Sequence, residues 1–193
     1  MTTTLAIYKY LYPFLLGLTL MLLYQKQHRF MCRFYGRMTL YWNARRFYIL
    51  VIYSLLLLYN YTHYVADGIT LGIIASVVFM TPLLFFRVAD RWFHLLHEHV
   101  GHLLLLILTS MLIALADGMA VASVTLLTIG VAAMFYPSEH VLDMKSRPEC
   151  FSDFLHLTEI ITKNYYGRPT QHLAFPKKHL AQNNHNNHKK ENQ

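Results

Sequence analysis

Long apolar runs broken by short polar stretches set the expected architecture. Four runs, roughly 47–66, 69–86, 100–116 and 118–136, and a shorter one at 5–24, each read as a membrane-crossing helix, since about 20 apolar residues cross the hydrocarbon core of a bilayer. Only Asp67-Gly68 separates the second run from the third, and only Asp117-Gly118 separates the fourth from the fifth. The sequence therefore predicts two helical hairpins in which Gly takes the backbone angles of a tight turn and Asp caps the helix that follows. The triplets Ala66-Asp67-Gly68 and Ala116-Asp117-Gly118 lie fifty residues apart. Beyond them only Leu and Phe positions match, so two convergent hairpins explain the pattern without a duplication.

The expected fold class is all-α. It is a polytopic transmembrane helical bundle of about five spans, an N-terminal span plus two hairpins, over residues 1–137, with cytoplasmic amphipathic helices. The first span carries Lys9, able to snorkel to the interface, Tyr8, Tyr10 and Tyr12 as an interfacial belt, and Pro13 as a bend or a late helix start. It lacks a basic leader and a small-residue cleavage site, so it reads as retained rather than cleaved. The fifth run is rich in Gly, Ala and Ser, which let helices approach closely in lipid, and is expected inside the bundle or at an oligomer contact. Residues 138–175 read as a cytoplasmic amphipathic helical segment, with Phe151, Phe154, Leu157, Ile161 and Tyr165 at helical intervals. Residues 176–193, dominated by Asn, His, Lys and Gln, read as a disordered tail.

Charge then orients the bundle. If the runs cross in turn, each of the 17 Lys and Arg residues except Lys9 falls on one side. Basic residues stay on the cytoplasmic side during insertion, so the N-terminus is expected outside and the C-terminus inside. Composition agrees, with 55% hydrophobic and only 14% charged residues against about 25% charged in soluble domains. The net charge of +7 sits beside apolar runs, which favours a bilayer with anionic headgroups over nucleic acid. Within connection 25–46, Lys26, Arg29, Arg33 and Arg37 cover about 80° of one helical face at about 100° per residue. Phe30, Met31, Phe34 and Met38 point elsewhere, as on a short helix in the headgroup plane that meets lipid headgroups or an acidic partner. Cys32 and Cys150 fall in cytoplasmic segments and are expected as reduced thiols.

Candidate chemistry is sparse. Arg87, Asp90, Arg91, His94, His97, Glu98, His99 and His102 form the one dense polar cluster. On one continuous helix Asp90, His94, His97, Glu98 and His102 would share a face, and His94, His97, Glu98 and His102 are suitable ligands for a transition metal or partners for haem. The spacing from His97 to His102 is five, where the zincin motif requires four, and an interfacial helix needs a polar face anyway. A second group, His63, Asp67 and Asp117, lies at the outer rim and is the candidate ion path. No Asp, Glu, Lys or Arg falls at the middle of a run, where a transporter usually places one. Phosphate loop, nucleophile elbow and Cys-x-x-Cys are absent from the sequence, and no cofactor is required by it.

The function expected is that of a multi-pass membrane protein of a bacterial inner membrane without recognisable catalytic machinery. It would act through contacts with other membrane proteins or with itself, as an accessory, assembly or exclusion/immunity-type protein. The alternatives are a membrane metalloprotein or haem oxidoreductase built on the 94–102 cluster, and a small transporter or channel using the rim carboxylates.

Overall fold

The computed structural model describes residues 2–26, 28–139, 141–142, 161–162 and 165–166. Among them every regular element is helical: α1 (Thr2–Leu23), α2 (Arg29–Leu40), α3 (Trp42–Asp67), α4 (Leu71–Leu84), α5 (Phe86–Glu98), α6 (Val100–Ala114) and α7 (Ala120–Met134). The all-helical expectation holds for these residues. Cys150, the tail at 176–193 and most of the 138–175 segment lie outside them.

By length and composition, one helix is long and apolar enough to cross a membrane, and two are if the bent pair α4/α5 counts as one span. That helix is α3, of 26 residues. Only 33% of its apolar window is buried, unlike the core helix of a water-soluble domain. Three of the other apolar helices are shorter than the sequence predicts, 14 residues in α4 and 15 in α6 and α7, or about 21–23 Å at 1.5 Å per residue. Local chemistry trims them. Thr70, not Asp67, caps α4, its hydroxyl accepting the Ile73 N–H at 3.4 Å. Asp67 is instead the last residue of α3, and the N-cap residue of α7 is Met119, without a side-chain cap, so the expected Asp caps are not formed. At the other end of α4, Pro82 stands in the last turn and the chain leaves helical geometry at Phe85. There the path turns by 102° into α5.

Helix α7 is the hub, packed against α1, α3, α4, α5 and α6. Ten of its 15 residues are buried, among them Ala122, Ser123, Thr125, Gly130 and Ala133, as its small side chains predict. A Cβ on Gly130 would come 3.0 Å from Leu106. Hydroxyls stitch the interfaces: Ser76 and Thr125 lie 2.6 Å apart, and Ser110 lies 2.9 Å from the Ser123 carbonyl and 3.0 Å from its hydroxyl. These hydroxyls thus lie inside, within a core that also holds Leu56, Met80 and Phe93, while many further large apolar side chains face out. Helix α6 presents Leu104, Leu105, Leu108, Met111 and Leu112 on one face, each at least 60% exposed. Helices α1, α3 and α4 do likewise with Phe14, Met21, Leu50, Ile74 and Val78. The exposed Thr19, Thr81 and Thr109 turn their hydroxyls back onto Leu16, Val77 and Leu105 carbonyls at 2.8, 3.0 and 2.8 Å, which satisfies them within their own helices.

Both hairpin turns use the predicted glycine, Gly68 at φ 75° and Gly118 at φ 74°, a region costly for residues with a Cβ. The turns also meet, because a Cβ on Gly72 would collide with the Gly118 carbonyl oxygen. Gly72→Ala is therefore expected to cost about 1–3 kcal/mol through forced separation of α4 from the α6–α7 turn, read as a lower thermal midpoint in detergent. Gly17→Ala and Gly101→Ala, with nothing within 4 Å of the added Cβ, should be neutral or stabilising. An equal loss at all three positions would contradict the contact.

Candidate functional site

The polar residues gather where α5 crosses the end of the bundle. Ala89, Phe93 and Leu96 form the buried stripe of α5, which places Asp90 and His94, one turn apart, at its edge. Arg45 comes from the first turn of α3, and Tyr136 follows α7 directly. One oxygen, Asp90 Oδ1, receives all of them. Arg45 Nη1 lies 3.5 Å away, His94 Nε2 lies 3.7 Å away, and the Tyr136 hydroxyl donates a hydrogen bond to it. The side chains of Arg45, Asp90 and His94 are 11%, 18% and 15% exposed, so the pair is mostly removed from solvent. Aromatic rings wall it: Arg45 Cζ sits 4.9 Å from the Trp42 ring, Trp42 packs edge-on to Phe86 at 4.5 Å, and Tyr136 packs against Phe93 and His94.

Burial pushes the His94 imidazole below its ordinary value of 6.5, more than the Asp90 carboxylate raises it. Its Nδ1 is buried and without a hydrogen-bond partner, which adds to the cost of a charged ring. His94 is accordingly neutral at pH 7. Beside the clasp lies a cleft of about 600 Å³ lined by Trp42, Arg87, Asp90, Arg91, Glu98 and Glu139.

The four predicted metal ligands are not brought to one point. His94 faces Asp90. His97 places Nδ1 3.2 Å from the Ala133 carbonyl, so that nitrogen carries the proton. Glu98 accepts the Glu139 N–H at 3.0 Å. The helix breaks at His99, with φ −102° and ψ 96°, so His102 belongs to α6, its ring 5.2 Å from that of His99. The single continuous face running to His102 is therefore not formed. Among the described residues no group of three or more His, Cys, Asp or Glu side chains is gathered so as to hold a metal ion.

At the opposite end, His63 Nδ1 lies 3.2 Å from Asp67 Oδ2 within α3, and Asp117 is exposed in the α6–α7 turn. The basic stripe is reproduced with one change. Arg29, Arg33 and Arg37 are exposed on α2, opposite its buried Met31, Tyr35, Met38 and Thr39, whereas exposed Lys26 precedes the helix and does not extend its face.

Two features were hidden from sequence reasoning. Arg45 counted only as a topological charge and Tyr136 only as the end of an apolar run, because nothing local joins either to Asp90. The second is a tyrosine layer: Tyr166 donates to the Tyr35 hydroxyl at 3.0 Å, Tyr35 to the Lys26 carbonyl at 3.2 Å, and Tyr165 to the Phe135 carbonyl at 2.8 Å. Through it the chain after α7 is tied to α2, and Ile161 and Tyr165, predicted on an apolar face, are buried. No family model, curated protein or solved structure matches this chain.

As a unit, Arg45, Asp90, His94 and Tyr136 lock α3, α5 and the segment after α7 together. Asp90→Ala leaves a buried guanidinium and a phenol without their acceptor and should cost about 2–3 kcal/mol, whereas Asp90→Asn, which keeps an acceptor oxygen, should cost less. Equal thermal midpoints for wild type and Asp90→Ala would exclude the clasp. The depressed His94 value fixes the sign of a pH effect. Unfolded histidine binds the extra proton, so this contribution is full above pH 6.5 and declines as pH falls toward the lower folded value. Replacement by His94→Gln should flatten the loss of thermal stability between pH 7 and pH 5; an unchanged pH slope would contradict the assignment.

Proposed function

We propose that this chain is a multi-pass protein of a bacterial inner membrane. It has about five spans, the N-terminus outside and the C-terminus in the cytoplasm, and it acts through protein contacts as an accessory, assembly or exclusion/immunity-type protein. The observation that carries the reading is the extent of apolar surface that the fold leaves outside, together with hydroxyls held inside. Leu, Ile, Val, Phe and Met cover the outer faces of α1, α3, α4 and α6, while Ser76, Ser110, Ser123 and Thr125 are buried. A monomer in water rarely exposes apolar patches beyond a few hundred Å².

Short helices are compatible with crossing, because the apolar band extends past their ends. Ile69, Leu71, Phe85 and Leu115 are exposed in or beside the turns, and a bilayer thins or a bundle oligomerises around short spans at modest cost. Orientation follows from Arg29, Arg33 and Arg37 on α2, Arg45 and Arg46 at the start of α3, and Arg87 and Arg91 on α5, all at one end of the bundle. Contact rather than catalysis is favoured because the polar groups are spent on each other: Asp90 on Arg45 and Tyr136, and Glu98 on a backbone amide. The surface left for a partner is the cationic cytoplasmic face of α2 and α5, which suits an acidic protein segment, with a second copy of the chain as the lateral alternative.

A photo-crosslinking residue at Arg37 or Arg91 should capture a discrete protein partner in native membranes, while the same probe at Leu105 on α6 should yield lipid adducts. Lipid adducts alone at all three sites, or a purified chain that turns over a substrate by itself, would refute action through contacts. A reporter fused after Gln193 is expected to be active in its cytoplasmic form only.

A further inference from the structure

An apolar groove of about 380 Å³ runs between α1, α2, α3 and α7, lined among others by Tyr12, Leu16, Phe34, Ile52, Val131 and Phe135. Its size falls within the range of small-molecule sites. The polar atoms on its wall are already engaged. Tyr12 and Thr128 hydroxyls lie 3.3 Å apart, Thr128 bonds the Val124 carbonyl at 2.7 Å, Tyr48 the Ala132 carbonyl at 2.9 Å and Thr19 the Leu16 carbonyl at 2.8 Å. The groove therefore offers hydrocarbon contact and no hydrogen bond.

Helix α2 closes the cytoplasmic end with Phe30, Met31 and Phe34. At about 100° per residue, Arg29, Arg33 and Arg37 occupy the stripe directly beside those three, and all three arginines are exposed. No acidic residue occurs between 25 and 46. One helix thus sets an apolar slot next to a row of exposed cations, at the level where headgroups meet tails under the membrane reading on which this inference rests. A detergent-like neutral tail would leave the arginines unanswered, and a free anion would leave the slot empty. We infer that the groove is a site for an anionic phospholipid of the cytoplasmic leaflet, one acyl chain lying against Phe34 and Phe135 and the phosphate against Arg29 and Arg33.

The test uses the full chain in mild detergent, stripped of lipid and titrated with phosphatidylglycerol, with phosphatidylcholine of the same chains, and with glycerol phosphate. Phosphatidylglycerol should raise the thermal midpoint by several degrees at concentrations where the other two do little. The double variant Arg29→Gln/Arg33→Gln should erase the preference between headgroups, and Thr19→Phe, at the groove's exposed edge, should remove the response itself. Should Thr19→Phe fail to fold, wild type with a phosphatidylglycerol carrying a photoreactive acyl chain decides. Adducts on the peptides holding Tyr12, Leu16 or Phe135 support the site, and adducts confined to α6 overturn it. Equal responses to both lipids, or a preference unmoved by the arginine variant, also overturn it. Alkaline carbonate separates this failure from that of the membrane reading, since a chain retained in membranes but indifferent to headgroup loses only the lipid site.

Discussion

Helix α7 is surrounded on all sides, and it can be so only because its side chains are small and its hydroxyls are answered. Ala122, Gly130 and Ala133 let α4, α5 and α6 come near enough for dispersion contact, and Ser123 and Thr125 meet Ser110 and Ser76 across the interfaces. In lipid no hydrophobic force drives one apolar helix onto another, so close approach and interhelical hydrogen bonds carry the association. The large side chains displaced from these contacts face outward, the arrangement that the proposed membrane setting requires.

The two ends of the bundle are built differently. One end holds two tight turns that touch through Gly72 and Gly118, with little charge beyond Asp67, His63 and Asp117. The other carries the described Arg and Lys side chains, the Asp90 clasp, the amphipathic α2 and α5, and the tyrosine layer. Such polarity matches what insertion imposes: basic residues and interfacial helices accumulate on the side that is not translocated. The clasp also keeps the 102° turn between α4 and α5 in place, because Asp90 on α5 is held by Arg45 on α3 and by Tyr136 after α7. The exposed arginines of α2 and α5, the mouth of the apolar groove and the clasp therefore share one end of the bundle.

Much of this was readable from local pattern. The stripe 29–37, the amphipathic segment after Phe86, the small residues of α7 and the glycines at 68 and 118 each express a periodicity or a backbone need that the chain carries within a few residues. Boundaries were less legible. Thr70 outcompetes Asp67 as a cap because it stands next to the first helical residue, and the break at His99 precedes Gly101, the nearest helix breaker, by two residues. Long-range pairings were not legible at all. That Asp90 and His94 belong with Arg45 and Tyr136 rather than with His97, Glu98 and His102 depends on where α3 and α7 end in space, so a histidine cluster that looked like one ligand set resolves into separate contacts.

The exposed leucines of α6 belong in contact with hydrocarbon if the chain crosses a membrane. Spin labels introduced by Leu105→Cys, Leu108→Cys and Leu112→Cys, in a chain freed of Cys32 and Cys150 and reconstituted into vesicles, measure this directly through collision with oxygen and with a water-soluble nickel complex. Lipid-facing positions will relax strongly with oxygen and weakly with nickel, the reverse of a label at Arg33. Nickel collisions at the leucines as frequent as those at Arg33 would show that water, not lipid, bathes α6, and the assignment of this chain to a membrane would fall.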